Sequence, residues 1–190
     1  MNQKFYFHDV LQCFKLGKAQ RREIAEHSHY DLLTMGMKPF EEAKDITVIL
    51  LIVAEGIEYY PMGVEYIKKH PEWIIACHGL HHDRYNYKTY EEAYRDLAEA
   101  KTILEKAFER KVTIFLPPKL RYNKATEKAC ADLGLEIHTP GHFAIKYMEA
   151  SKVDNYPRLD VHAYTSEDRR MIDFFFEIKR LKKLVGQVQS

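Results

Sequence analysis

Trp73-Ile74-Ile75-Ala76-Cys77-His78-Gly79-Leu80-His81-His82-Asp83 is an apolar run that opens directly into a His-x3-His pair, His78 and His82. Five apolar residues with β-branched centres predict a buried strand, which puts both imidazoles at its carboxyl end. That is the end at which α/β sheets and barrels place their chemistry. Two neutral imidazoles this close in sequence can share one metal ion, and Gly79 between them lets the loop curl until both rings turn inward.

Outward from this stretch, strand-like and helix-like segments alternate. The strands are predicted at Lys4–Val10, Ile46–Ala54, Trp73–Cys77, Val112–Leu116, Leu135–His138 and Arg158–Ala163. Their continuous apolar character suits a parallel sheet covered on both faces. The clearest helix runs from Thr89 to about Arg110, with Thr89-Tyr90-Glu91-Glu92 as a capping box and Ala93, Leu97, Ala100, Leu104 and Ala107 on one face. Another follows Asn123 and stops at Gly134, and a last one starts near Ser166 with Glu167 and Asp168 in its first turn. Residues 17–45 are polar and show no clear period, and no repeat or linker divides the chain. A single domain over 1–190 is expected, large enough to bury its core without a disulfide or a structural metal, so any metal would serve function.

Composition narrows the classes. Lys+Arg 29 against Asp+Glu 28 leaves a net charge of +1, and no basic stretch alternates with aromatics, which disfavours nucleic acid. Cys13, Cys77 and Cys130 are odd in number and widely spaced, as expected of reduced thiols, and Cys77 inside the strand run reads as core. Met1-Asn2-Gln3-Lys4 lacks the apolar core of a signal peptide, and Ile46 to Ala54 is too short to span a bilayer. The expectation is a soluble, cytoplasmic protein with no membrane partner; the oligomeric state is left open.

Repeated βα units give a sheet one functional rim. The strands end, in order, at His8-Asp9, Glu55, His78 to Asp83, Pro117-Pro118-Lys119, His138 and Asp160-Val161-His162, so five of six carry a titratable group of metal-ligand or acid-base type. Asp9 with His78 and His82, at what read as adjacent strand ends, makes a two-His, one-carboxylate set able to hold a catalytic Zn²⁺ with positions open for water and substrate. His27, His29, His138 and His142 read as ordinary polar or half-buried histidines. Tyr85, Tyr87 and Tyr90 either stack on a sugar or pack a loop against the next helix.

From Lys4 to Leu181 the chain resembles the polysaccharide deacetylase (NodB-homology) carbohydrate esterases in the order of their motifs. Phe7-His8-Asp9-Val10 is similar to the first motif, whose second acidic position, here Asp9, binds metal. His78-Gly79-Leu80-His81-His82 matches the second, which supplies the two histidine ligands. Phe115-Leu116-Pro117-Pro118 resembles the third, and Leu159-Asp160-Val161-His162 the final strand, whose His is the general acid. The resemblance implies an α/β fold, a distorted, incomplete (β/α) barrel, and at this length a shortened or open one, because a full eight-unit barrel needs about 250 residues.

Two positions depart from the family. Where it has a catalytic-base Asp this chain has His8, and where it has an Arg paired to that Asp this chain has Leu116. The losses fit together, since an Arg helps a carboxylate and repels a protonated imidazole. The implied chemistry has Zn²⁺ or another divalent transition metal on Asp9, His78 and His82, His8 or else Asp83 as base, the Lys119 backbone N–H as an oxyanion donor and His162 as acid. Asp160 either orients His162 or is a solvated strand-end carboxylate. The substrate expected is a small acetylated amino sugar, an oligosaccharide or a related amide. The alternative is a silent module that binds a glycan or metal without hydrolysis.

Overall fold

The computed structural model describes residues 3–11, 34, 37–38, 41, 46–138 and 158–162, and the side chains of 10–11, 34, 37–38, 41 and 47–138. The helix expected near Ser166, Cys13, His27, His29 and His142 lie outside the described residues. Six strands, β1 (Gln3–Val10), β2 (Ile46–Ile52), β3 (Ile74–Cys77), β4 (Ile114–Phe115), β5 (Glu136–Ile137) and β6 (Arg158–His162), form one sheet in the order β5-β4-β3-β2-β1-β6. Every pairing is parallel. Strands one to five run in sequence and the sixth returns beside the first, which is the order of a barrel; a doubly wound sheet reverses partway. Among the described residues β5 and β6 remain at opposite edges, so the arc is open there.

The apolar strands separate two cores by simple alternation. Val48, Leu50 and Ile52 of β2 and Ile75 and Cys77 of β3 face a large cluster that includes the helices, while Ile49, Leu51 and Ala76 face a smaller one with Leu116. His78 follows Ala76 by two residues and so continues the face of the smaller cluster.

The two predicted helices that fall within the described residues form where their caps direct. Thr89 and Glu92 complete both bonds of the capping box, and the long helix runs Tyr90–Phe108, burying Ala93, Leu97, Ala100, Leu104 and Phe108. Each large side chain fully removed from water stabilises by roughly 1.5–3 kcal/mol. Asn123 accepts from the Thr126 N–H at 2.9 Å to start the helix Lys124–Asp132, and Gly134, at φ +65°, ends it as expected. Two helices between β2 and β3 were not anticipated: Gly56–Tyr59 and Pro61–Lys68. Gly56, Pro61 and Gly63 are of types that commonly interrupt helices. In the fold Pro61 takes the first turn, where no N–H is needed. At Gly56 a Cβ would lie 1.6 Å from the Leu11 carbonyl oxygen, so only glycine allows that approach. In chain order the helices described here are labelled α1 (Gly56–Tyr59), α2 (Pro61–Lys68), α3 (Tyr90–Phe108) and α4 (Lys124–Asp132). No helix among the described residues is long and apolar enough to cross a membrane.

Candidate active site

At the carboxyl end of β3 the His78 N–H extends the ladder by donating to the Ile52 carbonyl at 2.9 Å. Its ring is buried, and Nδ1 lies 2.7 Å from the Leu116 carbonyl oxygen. A carbonyl only accepts, so Nδ1 carries the hydrogen, and in the neutral form of the ring the lone pair is on Nε2. This is the backbone-oriented tautomer found in imidazoles that bind metal through Nε2. The His82 ring centroid is 5.0 Å from that of His78, tilted by 53°.

The loop reaches this arrangement through two left-handed residues, Gly79 at φ +87° and His82 at φ +58°. A side chain at residue 79 would meet the Tyr85 hydroxyl at 3.0 Å and its ring at 3.2 Å. Tyr85 itself is fully buried and stands edge-on to Phe115 at 5.0 Å. Beneath the loop, Asp96 of α3 accepts from the Leu80 N–H at 3.2 Å, the Tyr85 hydroxyl at 2.5 Å and Lys88 Nζ at 2.6 Å. Burial, and then the neighbouring Asp96 charge, push the Tyr85 phenol well above its ordinary range, which keeps it a donor. Asn123 Nδ2 donates to the Asn86 and Lys88 carbonyls at 3.2 and 3.0 Å, tying the loop to the start of α4.

On the far side of β2 lie β1 and β6. On its β6 side β1 pairs regularly, and His8 and His162 are register partners. On its β2 side the register slips between Phe7 and Val10: Phe7 pairs Leu50 but Val10 pairs Ile52, an extra residue at His8-Asp9. Bulges of this kind favour active-site margins because they re-aim a side chain. Val10, Ile52 and Cys77 form one row across three strands, so Asp9 and His78 flank the same level of the sheet. The expectation of adjacent strand ends is corrected here, since β2 stands between β1 and β3 and spaces them about 10 Å apart. The side chains of His8, Asp9, Asp160 and His162 lie outside the described residues. Among the described residues no three His, Cys, Asp or Glu side chains are grouped to hold a metal.

Lys119, also left-handed at φ +56°, and His82 line one cleft of about 720 Å³ with Asp83, Tyr87 and Arg95. The three tyrosines divide: Tyr85 packs the loop, Tyr90 donates to Asp132 at 2.8 Å, and Tyr87 is 76% exposed on the cleft. Cys77 is core as expected; burial raises its thiol to about 12. Leu116 packs with Ile49, Leu51 and Ala76, and its backbone, not its side chain, serves His78. His138 Nε2 sits 3.2 Å from Glu136. One pair was missed. His81 Nδ1 lies 2.7 Å from Glu55 Oε2, and both had been in view, Glu55 as a strand end and His81 inside the motif. Only the fold brings residues 26 apart together.

The chain belongs to the polysaccharide deacetylase family, whose sequence pattern matches residues 33–138. No curated protein matches the sequence. Among solved structures it resembles a CE4 family pseudoenzyme from Bacillus anthracis, at 13% identity and TM-score 0.62 over 95% of this chain and 61% of that one. A mutant of that protein has restored enzymatic activity. It is also similar to a peptidoglycan N-acetylglucosamine deacetylase, at 13% identity and TM-score 0.67 over 98% of this chain and 80% of that one. A family 4 acetyl xylan esterase from Clostridium thermocellum, holding a cobalt ion, matches at 9% identity and TM-score 0.59, with 98% and 82% covered. The chain thus spans about three fifths of the pseudoenzyme's length.

Proposed function

We propose that this single domain is a metal-dependent hydrolase that removes an acetyl group from an N- or O-acetylated sugar or a related amide. The observation that carries the reading is His78: its Nδ1–H is committed to the Leu116 carbonyl, which aims the Nε2 lone pair, with the His82 ring 5.0 Å away. Asp9, His78 and His82 would hold Zn²⁺ or a similar divalent transition metal, and the cobalt in the Clostridium thermocellum esterase supports that class of ion. Such an ion polarises a carbonyl and brings the pKa of bound water to about 7.

The chain's own groups supply the proton transfers. His8, in the bulge of β1, takes the water proton on a ring nitrogen, and His162, its register partner on β6, gives one to the departing amine or alcohol. The Lys119 backbone N–H, turned by its left-handed conformation, donates to the developing oxyanion. An imidazole base has no need of the family's Arg, and Leu116 instead fills the inner core.

The silent-module reading draws on the same two departures and on the likeness to a pseudoenzyme whose mutant regained activity. Acetate release from a panel of acetylated sugars decides between them, with metal content measured on the same preparation. The wild type is expected to release acetate, and His8→Ala to lose most of that activity. Activity only in His8→Asp/Leu116→Arg means a silenced deacetylase; because Leu116 is fully buried, that variant's melting temperature is read alongside. Activity untouched by His8→Ala moves the base to Asp83.

A further inference from the structure

We propose that Asp96 is the positioning residue of the His78–His82 loop, the buried carboxylate that fixes the turn from which His82 reaches the metal. The inference rests on the reading that these histidines hold a metal. Asp96 takes no part in the proton transfers, and its side chain is 9% exposed. A carboxylate is costly to bury unless it is paired and hydrogen-bonded. Here it gathers three donors from one loop: the Leu80 N–H and the Tyr85 hydroxyl on Oδ1, and the Lys88 ammonium on Oδ2.

Each donor bears on the turn. Leu80 is two residues before His82, and its amide is held directly. Tyr85 supports Gly79 from below, its hydroxyl and ring closing the space a side chain there would need. Lys88, over the Tyr85 ring at 5.0 Å, ties the far end of the loop to the same carboxylate. His82 at φ +58° is a conformation that L residues avoid and that persists only where its surroundings over-determine it. Asp96, mounted on the 19-residue helix α3, is the rigid point to which that loop is fastened. A carboxylate that only stabilised the fold could have had any partners along α3.

The test compares full-length wild type, Asp96→Asn, Asp96→Ala and Leu104→Ala, the last removing core from the same helix away from the loop. Cobalt(II) affinity, followed by its visible absorption, is measured beside melting temperature and amide hydrogen exchange of the metal-free proteins. Asp96→Asn is expected to weaken cobalt binding roughly 10–100-fold and to speed exchange selectively at 80–88. Leu104→Ala should lower the melting temperature with cobalt affinity unchanged. Equal cobalt affinity in wild type and Asp96→Asn, or a loss matched by Leu104→Ala, overturns the proposal. Should Asp96→Ala fail to fold, the isosteric Asn variant carries the comparison. If the wild type binds no cobalt, the metal reading has failed, and exchange alone decides Asp96: selective loss of protection at 80–88 supports its hold on the loop, and unchanged protection refutes it.

Discussion

A histidine stands near each end of β3, His70 before it and His78 after it, and the two are used differently. Before the strand, the His70 ring lies flat on Trp73, 3.9 Å away at 11°, with Tyr66 edge-on at 5.1 Å. Its nitrogens face carboxylates, Glu72 at 3.0 Å and Glu41 at 3.9 Å. Arg110 donates to the His70, Trp73 and Lys68 carbonyls, binding the end of α2 to the start of the strand. After the strand, His78 is fixed by one carbonyl and stands beside a second imidazole. An imidazole sandwiched between an indole and acidic groups is packing; one oriented through Nδ1 at a strand's carboxyl end is poised to bind.

The largest test of this contrast removes each histidine set in turn. His78→Ala/His82→Ala is expected to lose bound metal and all acetate release while remaining folded, since the core does not depend on the site. His70→Ala should keep both. Equal metal content in the double variant and the wild type, by elemental analysis, would end the metal assignment. Next comes His162→Ala, which should slow turnover by roughly 10²–10⁴-fold with metal retained. Metal lost together with activity would place His162 among the ligands.

At the other end, Trp73→Ala should cost about 3–5 kcal/mol by denaturant unfolding, because the indole is almost fully buried between His70 and Tyr66. Metal affinity per folded molecule should stay constant. A drop in affinity would mean that strain at the base of β3 reaches its rim, and the two ends are not separable.

How much of this the sequence foretold follows from what each feature depends on. All six strands and the capped helices at Thr89 and Asn123 depend on local pattern, and they stand within a few residues of their expected bounds. The His78–His82 pair was legible because both histidines share one loop. The α1–α2 connection was hidden because Gly56 and Pro61 serve helices there through contacts with Leu11 and the helix's first turn. The Asp96 anchor, the Glu55–His81 pair and the slipped register at His8-Asp9 depend on which strands and helices become neighbours, and no spacing within the chain encodes that.

The smallest expected effect concerns Glu105, on the last turns of α3 at the end of the sheet away from the His78–His82 pair. Its carboxylate accepts from Lys101 Nζ at 2.6 Å and from the Val112 N–H at 2.9 Å, and Lys101 also donates to the Val112 carbonyl at 2.7 Å. These bonds clamp the chain as it enters β4, and the Lys101 bond first, then Val112, holds the carboxyl below its ordinary value. A depressed carboxylate contributes stability above its unfolded pKa, about 4.3, and loses it as pH falls through the lower folded value. Glu105 is about a third exposed, at 34%, so solvent screens the pair and the contribution is small. Glu105→Gln should therefore melt slightly below wild type at neutral pH, and the gap should close as the pH drops below about 4. A gap that stays constant with pH would assign the effect to the neutral hydrogen bonds alone. Cobalt affinity of Glu105→Gln at neutral pH should equal that of the wild type; a change there would show that the clamp at the base of β4 feels the histidine rim, which the contrast between the two ends forbids.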